Sequence, residues 1–329
     1  MTEKLYRVAL REALTEEMER DDSVYLIGED IGKFGGAYRV TEGLLDKFGA
    51  MRVVDAPIAE EVIVGSAIGA AMTGLRPVVE MMTVNFSLVA YDQIVQNAAK
   101  IRYMFGGQAT VPLVIRMPGG AGHQLSSQHS HSFEALYGMI PGLLVVAPTT
   151  PEDAKGLLKS AIRTDNPVMF LESMSLYNLK GEVPEGEYTT PLGKAAFRRE
   201  GKDITIIGVS RQAVLAQLAA QKLEDEDVDA EVIDLRSIRP IDWRPLVESI
   251  KKTNRCLIVE EGWPTYGVSA ELAAGLQERA FDHLDAPILR MGGKEVPMPY
   301  NQQLEKESIP SSEDIIRKVL EMVGRKVTA

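Results

Sequence analysis

The segment from residue 52 to residue 81, RVVDAPIAEEVIVGSAIGAAMTGLRPVVEM, contains two short apolar runs separated by a longer helical stretch. The runs occupy residues 52–54 and 78–81, and each lies close to a Pro or a Gly. Short apolar runs of this kind are typical of strands that are buried on both faces of a parallel sheet. The segment therefore predicts strands and helices that alternate around a parallel sheet.

The same alternation extends in both directions along the chain. Further predicted strands occupy residues 24–27, 111–117, 143–146, 168–171, 204–209, 230–235, 256–259 and 288–291. Helical spacing of apolar residues predicts helices over residues 4–20, 211–224, 242–252, 266–281 and 312–323. Between residues 180 and 193 the chain is polar with little periodicity, which makes this stretch the best linker candidate. The sequence therefore predicts two α/β domains, over residues 1–185 and 192–329.

Composition limits the classes of function. A chain of 329 residues is long enough for two domains of about 150 residues each. The formal charge of −11 argues against nucleic acid as a partner, because phosphate backbones are bound by clustered cations. The single cysteine, Cys256, lies in an apolar run, which fits a reducing compartment. Residues 1–22 resemble neither a signal peptide nor a transit peptide, and no apolar stretch reaches the roughly 20 residues of a membrane span, so we expect a cytoplasmic protein without a membrane partner.

Three of the four histidines lie in one Gly- and Ser-rich segment, PGGAGHQLSSQHSHS at residues 118–132. Because this segment follows a predicted strand of a parallel sheet, we expect a functional loop. A catalytic or binding histidine is favoured over a metal site, since His129 and His131 alone give two ligands. The sequence contains no G-x-S-x-G elbow, no Walker A segment and no G-x-G-x-x-G after a strand, so hydrolase, NTPase and dinucleotide-binding functions lose weight.

A second candidate site lies at the start of the small-residue helix in the segment 52–81. Glu60 and Glu61 follow Pro57 and fall in the first helical turn, where the helix dipole alone would favour a carboxylate. The helix itself carries Gly65 and Gly69 among other small residues, at a cost of about 1 kcal/mol per Gly relative to Ala. Another helix, a partner subunit or a cofactor is therefore expected to approach it closely.

Many ordered motifs resemble one protein family. They are GEDI at 28–31, APIAE at 56–60, GLRPVVE at 74–80, NF at 85–86, QHS at 128–130, PGL at 141–143, DAKGL at 153–157, DLRSIRP at 234–240, EGWP at 261–264, LDAP at 284–287 and VPMPY at 296–300. Over essentially its whole length, the chain resembles the β subunits of the E1 components of 2-oxo acid dehydrogenase complexes. The likeness is strongest to those that act on pyruvate.

The resemblance implies a fold, a cofactor and partners. The fold is α/β with two doubly wound domains, a thiamine diphosphate pyrimidine-binding domain followed by a transketolase C-terminal domain. Thiamine diphosphate would lie between this chain and an E1 α subunit in an α2β2 heterotetramer. The Gly-Asp-Gly segment and Asn pair that hold the diphosphate and Mg²⁺ in this enzyme class do not occur here, so the α subunit would supply them. The reaction would be oxidative decarboxylation of pyruvate with reductive acetylation of the lipoyl group of E2 dihydrolipoyl acetyltransferase.

The resemblance also assigns roles to single residues. Glu60 is expected to be catalytic by hydrogen bonding to the aminopyrimidine of the cofactor, and Phe86 is expected to pack on that ring or to serve as a core aromatic. His129 is expected to act in acyl transfer to the lipoyl group, while His123 and His131 receive no role. A structural K⁺ would be held by backbone carbonyls at Leu113, Ala161, Thr164 and Asn166. Asp285 would contact E2 or, equally, form a simple turn.

Three alternatives stay open on the sequence alone. An enzyme of the same type could act on branched-chain 2-oxo acids or acetoin, because the α subunit would share the substrate pocket with this chain. A non-catalytic scaffold subunit could keep the fold, although the presence of both Glu60 and His129 argues against it. A self-sufficient transketolase-like enzyme is opposed by the missing diphosphate segment.

Overall fold

The computed structural model describes residues 1–325, which form two compact units. The first unit comprises Met1–Gly119 and Leu136–Leu192, and the second comprises Gly120–Ala135 and the chain from Gly193 onward. The segment 120–135 lies inside the predicted range 1–185, yet its contacts group it with the second unit. The domain ranges 1–185 and 192–329 stay a prediction about folding units.

The first unit is built around a parallel sheet. The strands of this unit are β1 (Thr2–Leu5), β2 (Val24–Gly28), β3 (Val53–Asp55), β4 (Arg76–Glu80), β5 (Val114–Gly119), β6 (Leu144–Val146), β7 (Val168–Ser173) and β8 (Lys180–Val183). Its helices are α1 (Tyr6–Arg20), α2 (Leu44–Phe48), α3 (Glu60–Met72), α4 (Ile101–Met104), α6 (Pro151–Arg163) and most of α5 (Glu134–Gly138). Within this unit, six parallel strands lie in the order β6, β7, β5, β4, β2, β3. The carboxyl ends of these strands therefore share one edge, where α/β sheets place their ligands.

The second unit contains a mixed sheet. The strands of this unit are β9 (Ala196–Arg199), β10 (Ile204–Gly208), β11 (Ala230–Asp234), β12 (Ser237–Arg239), β13 (Cys256–Val259) and β14 (Leu289–Met291). Its helices are α7 (Arg211–Leu223), α8 (Trp243–Thr253), α9 (Val268–Ala280), α10 (Gln302–Ser308) and α11 (Ser312–Met322). Five strands lie in the order β14, β13, β10, β11, β9, and only the β9–β11 pair is antiparallel. The apolar faces of α7 and α11 form a buried cluster with β10, β11 and β13.

The predicted α/β fold is confirmed, and so are the predicted strands and helices to within a few residues at their ends. The sequence did not predict β1 and β8, which pair antiparallel from Thr2 with Val183 to Leu5 with Lys180. Three of the four residues of β8 are polar or Gly, so this pair has no apolar run to reveal it. The polar stretch after residue 180, predicted as linker, thus begins as a strand.

No helix within residues 1–325 combines the length and the apolar character that a bilayer crossing requires.

Candidate active site

Glu60 lies at the edge of the first sheet where its parallel strands end. Strand β3 ends at Asp55, and α3 begins at Glu60 after a short connection that contains Pro57. The Glu60 side chain is only 8% exposed. Among residues 1–325, no hydrogen bond or ion pair involves its carboxylate. The carboxylate of Glu60 is therefore placed to accept a hydrogen bond from a ligand.

Glu29 lies beside Glu60 and was not predicted as a site residue. It follows β2 directly and is 7% exposed. Burial, together with the charges of Glu60 and Asp30, raises the pKa of Glu29 above its usual value. Its Oε1 atom is buried and has no hydrogen-bond partner among the described residues. The first unit therefore presents two neighbouring buried carboxyl groups at this edge, a pattern that is enriched at functional sites.

Phe86 lies in a 3₁₀ turn, Val84–Leu88, that follows β4. Its ring is half-buried, and its backbone N–H donates to the carbonyl of Thr83 over 3.1 Å. Because β4 is the neighbour of β2 in the parallel sheet, Phe86 follows a strand at the same edge as Glu60. Its expected packing on a cofactor ring stays a prediction.

A buried ion cluster lies close to this edge. Arg116 on β5 donates through Nε and Nη2 to the two carboxylate oxygens of Glu172 on β7, each over 2.8 Å. Its Nη1 atom donates to Glu80 on β4 over 2.5 Å. Tyr177 donates its hydroxyl to the same Glu172 carboxylate over 2.6 Å. All three charged side chains are buried, so the guanidinium neutralises two carboxylates that are largely removed from water.

The ion cluster also touches the loop that follows Glu29. A Cβ atom on Gly36, whose φ is +78°, would lie only 2.6 Å from Oε1 of Glu80. Farther along the loop, the Thr41 hydroxyl donates to the carbonyl of Ile31 over 2.7 Å. Gly32 donates its N–H to the Asp55 carboxylate over 2.6 Å. These contacts give the loop that begins at Glu29 a defined conformation over the carboxyl ends of β2, β3 and β4.

His129 belongs to the second unit, whereas Glu60 and Phe86 belong to the first. The imidazole of His129 is half-buried, and its backbone N–H donates to the carbonyl of Ser126 over 3.3 Å. The surrounding segment, residues 120–132, is held by carboxylates of its own unit. Ala121 donates its N–H to Glu261 over 2.6 Å, and Gly122 donates to Glu305 over 2.9 Å. The loop that carries His129 is therefore fixed by specific hydrogen bonds.

His131 and His123 have different surroundings. The ring of His131 stacks on Phe133 with centroids 4.8 Å apart and meets the Trp263 ring edge-on at 5.8 Å. Burial lowers the pKa of His131, so its imidazole is neutral at pH 7. His123 is exposed. His131 therefore has a packing role, and neither residue gains a catalytic role from its position.

Glu134 lies two residues beyond this segment, at the start of α5, and has an unusual carboxyl group. Burial, with the nearby charges of Glu261 and Glu260, raises the pKa of Glu134 to about 7. A folded-state pKa above the unfolded value means that folding favours the protonated form. The contribution of Glu134 to stability is therefore fully present below pH 4.5 and is lost as the pH rises through 7.

We expect Glu134→Gln to stabilise the protein at pH 8 but not at pH 4.5, because glutamine cannot acquire the buried charge. Relative to the parent protein, its Tm at pH 8 should rise by at least about 2–4 °C, the shift that 1 kcal/mol produces in a domain of 150–250 residues. Thermal unfolding at several pH values measures this difference. A difference in Tm that is the same at pH 4.5 and pH 8 would contradict the assignment.

The four predicted K⁺ positions lie in the first unit. Ala161 is in α6, Thr164 follows its last residue, and Asn166 lies two residues farther on. The carbonyl of Leu113 accepts a hydrogen bond from the N–H of Val168 over 2.8 Å. The carbonyl of Thr164 accepts a hydrogen bond from Nη1 of Arg76 over 3.0 Å. Among residues 1–325, no group of three His, Cys, Asp or Glu side chains is arranged to hold a metal ion.

Asp285 is exposed in the second unit, in the connection before β14. Its backbone N–H donates to the carbonyl of Asn254 over 2.9 Å. It lines a polar groove of about 520 Å³ in which both signs of charge occur, with the charged side chains of Lys202, Asp203, Asp227, Arg255 and Arg325. The surroundings of Asp285 therefore suit a charged partner surface better than an apolar ligand.

Two family descriptions match the chain, one for each part. Residues 3–180 match "Transketolase, pyrimidine binding domain", and residues 193–315 match "Transketolase, C-terminal domain". A solved structure described as "Split gene transketolase, inactive beta4 tetramer" has the same fold, with a TM-score of 0.79 over 98% of this chain and 99% of that chain at 22% identity. The fold and the edge that carries Glu60 thus define a transketolase-type arrangement of a pyrimidine-binding domain followed by a C-terminal domain.

Curated relatives narrow this class to one family. The chain is 51% identical to "Pyruvate dehydrogenase E1 component subunit beta" of Rickettsia felis, over 95% of this chain and 96% of that protein. It is 50% identical to the Rhizobium meliloti protein of the same name, over 95% of this chain and 68% of the relative. The mitochondrial beta-1 subunit of Arabidopsis thaliana is 48% identical, over 96% of this chain and 88% of the relative. The chain belongs to the family of pyruvate dehydrogenase E1 component β subunits.

Proposed function

We propose that this chain, together with an E1 α subunit, catalyses the thiamine diphosphate-dependent oxidative decarboxylation of pyruvate and the transfer of the acetyl group to a lipoyl group. Family membership supports the reaction, and the buried Glu60 carboxylate supports catalysis by this chain. A scaffold would have no need for a buried carboxylate without a hydrogen-bond donor, because burying an unpaired charge destabilises the fold.

The residues at the edge of the first sheet fit the aminopyrimidine of the cofactor. The Glu60 carboxylate would accept a hydrogen bond from a ring nitrogen, and the half-buried Phe86 ring would pack on the ring face. When bound, thiamine diphosphate supplies the electron sink for decarboxylation. Glu60 would hold the proton of that ring nitrogen in place, and a positioned acid or base of this kind is worth about 10²–10⁴-fold in rate. The α subunit would hold the diphosphate and Mg²⁺.

The second half of the reaction passes the acetyl group to the lipoyl group of E2. The bond between the keto carbon and the carboxylate of pyruvate breaks, and CO₂ leaves. The electron pair left on the acyl carbon reduces the lipoyl disulfide, so that one sulfur takes the acetyl group and the other takes a proton. His129 is the half-buried imidazole of the loop 120–132 and is the residue we propose to supply that proton.

The exposed face of α3 is proposed to contact another subunit in an α2β2 heterotetramer. Val62 is 66% exposed, and Ile58, just before the helix, is 81% exposed. On the same helix Ser66 and Gly69 are exposed, and a Cβ atom on Gly69 would meet no atom of residues 1–325 within 4 Å. An exposed apolar and small-residue face lets a second backbone approach closely, which is typical of a subunit interface.

We expect Gly69→Leu to prevent assembly without unfolding the chain, because the described part of the chain leaves the space around Gly69 open. Sedimentation analysis of the variant mixed with the α subunit should show at least a tenfold loss of heterotetramer, equal to about 1.4 kcal/mol. Its circular dichroism and Tm as a separate chain should match the parent. Gly69→Ala serves as the control and should assemble. A Gly69→Leu variant that assembles fully would place the interface elsewhere.

A structural K⁺ and an E2 contact complete the proposal. The carbonyls at the end of α6 carry the partial negative charge of a helix C-terminus, which suits a cation near Ala161, Thr164 and Asn166. Each carbonyl oxygen has two lone pairs, so Leu113 and Thr164 can keep their present hydrogen bonds and also face K⁺. Asp285 is proposed to bind E2 through charge pairing, which its charged groove supports. The complex is proposed to act in the cytoplasm, although some relatives are mitochondrial.

A substrate comparison tests the proposed reaction. The heterotetramer would be assayed with pyruvate, a branched-chain 2-oxo acid and acetoin, using a dye as electron acceptor. The proposal expects pyruvate to have the highest kcat/KM. A higher kcat/KM for either of the other two substrates would reassign the chain to a related dehydrogenase, and no activity with any of them would support the scaffold alternative.

A further inference from the structure

The loop that carries His129 belongs to the second unit, and two buried glutamates of that unit hold it in place. Glu305 lies on α10 and is 2% exposed, and Glu261 follows the end of β13 and is 9% exposed. We propose that Glu305 and Glu261 are positioning residues, which hold residues 120–132 in the conformation that presents His129 for acyl transfer. This inference rests on the proposed function of His129.

The Glu305 carboxylate is satisfied by the loop backbone. Its Oε1 atom accepts the N–H of Gly122 over 2.9 Å, and both of its oxygens accept the N–H of Gln124 over 3.2 Å. No ion pair among residues 1–325 includes Glu305, so these N–H groups are what compensates its buried charge. Hydrogen bonds to a charged acceptor are about twice as strong as neutral ones. Loss of the loop from this position would leave the carboxylate buried and unpaired.

The loop backbone is shaped to bind this carboxylate. Gly122 has a φ of +107° and Gln124 a φ of +54°, so left-handed residues alternate along this part of the loop. Alternation of this kind turns successive N–H groups toward one side and creates a concave anion site. Here the anion is the side chain of Glu305. The cost of a left-handed conformation at Gln124, a non-Gly residue, is offset by the contact that it makes.

Glu261 fixes the beginning of the loop. Its Oε1 atom accepts the N–H of Ala121 over 2.6 Å, and a Cβ atom on Gly120 would lie only 2.6 Å from the same oxygen. Its Oε2 atom accepts from Arg211 over 3.3 Å, and Arg211 also donates to the carbonyl of Ala121 over 3.3 Å. The N–H of Gly120 donates to the carbonyl of His131 over 2.8 Å, which joins the two ends of the loop. His129 thus lies on a loop that is held at its start and at Gly122 and Gln124.

Three variants test the role of Glu305. Glu305→Ala removes the acceptor of the loop, and Glu305→Gln keeps a neutral acceptor in its place. Glu307→Ala is the matched control, because Glu307 is exposed on the same short helix and, among residues 1–325, has a hydrogen bond to Gln303 alone. Each variant would be assembled with the α subunit and compared by hydrogen exchange of the amides of residues 121–124.

Hydrogen exchange of the amides of residues 121–124 tests the structural part of the inference independently of the reaction. In Glu305→Ala their exchange should be at least tenfold faster than in the parent, with a smaller increase in Glu305→Gln and none in Glu307→Ala. Unchanged exchange in Glu305→Ala would overturn the positioning role, whatever the function of His129 is.

Two activities test the functional part. Glu305→Ala should lower kcat for reductive acetylation of a lipoyl domain about 10–100-fold while leaving decarboxylation with a dye acceptor within twofold, and Glu305→Gln should recover part of the loss. Equal losses in both activities would indicate a merely structural role and overturn the inference. If the amides exchange faster but acetylation is unchanged both in Glu305→Ala and in His129→Ala, then the proposed function of His129 is what fails, and the inference that rests on it fails as well.

Discussion

The Glu60→Gln variant of the assembled enzyme is expected to lose about 10²–10⁴-fold in kcat for pyruvate decarboxylation, because glutamine cannot act as the carboxylate partner of the aminopyrimidine. Glutamine has nearly the same shape, so the buried position at the start of α3 stays filled. Heterotetramer formation should therefore match that of the parent. The Tm should fall by no more than about 2–4 °C, because removal of an unpaired buried charge offsets the lost interaction with the helix dipole. Steady-state rates with a dye acceptor measure the loss without involving the lipoyl step.

Glu61→Gln is the matched control for this experiment. Glu61 is the next residue of the same first helical turn, but its side chain is exposed. Both substitutions remove a charge that the helix dipole favours by about 0.3–1 kcal/mol. Only Glu60→Gln should lower the rate, which separates catalysis from stabilisation of the helix. Full activity of Glu60→Gln would refute the assignment of Glu60.

The Arg116→Met variant is expected to show the largest loss of stability. Arg116 is 1% exposed and neutralises Glu80 and Glu172, which are also buried. Removal of one member of a buried ion cluster leaves uncompensated charge and costs about 3–5 kcal/mol in the free energy of unfolding. At about 2–4 °C per kcal/mol, the Tm should fall by roughly 10 °C. Thermal unfolding of the chain followed by circular dichroism measures this loss.

Two further variants show whether the buried charge is the cause. Arg244→Met removes an exposed Arg that pairs with Glu248 at i,i+4, and an exposed pair of this kind contributes little to stability. The triple variant Arg116→Met, Glu80→Gln, Glu172→Gln removes all three charges and should recover part of the lost stability. If Arg116→Met and Arg244→Met unfold at the same temperature, the cluster does not contribute as proposed.

The fold was predictable where an element shows its own apolar pattern. The buried runs at Val24–Gly28 and Cys256–Val259 appear as strands in the sequence because both faces of the sheet are covered. The pair β1–β8 was not predictable, since Lys180–Val183 is held by pairing with a segment near residue 2 rather than by an apolar run of its own. Pairings between distant segments leave no local periodicity.

The site was predictable to the extent that a motif marks it. Glu60 lies in the APIAE motif and His129 in the QHS motif, and these motifs predict both residues as members of the site. Glu29 was missed as a site residue because its raised pKa depends on burial and on the nearby Glu60, which sequence spacing does not show. Glu305 was missed because 181 residues separate it from the Gln124 amide that it binds.

The central claim is that this chain holds one half of a thiamine diphosphate site. Copurification tests this claim most directly. The tagged chain would be isolated from its native cell, and the chain that copurifies in equal amount would be sequenced and assayed with it. The account predicts a partner that carries the Gly-Asp-Gly segment and the Asn pair, and pyruvate decarboxylation that requires thiamine diphosphate and Mg²⁺. A chain that is isolated alone, or with a partner that lacks that segment, would contradict the account.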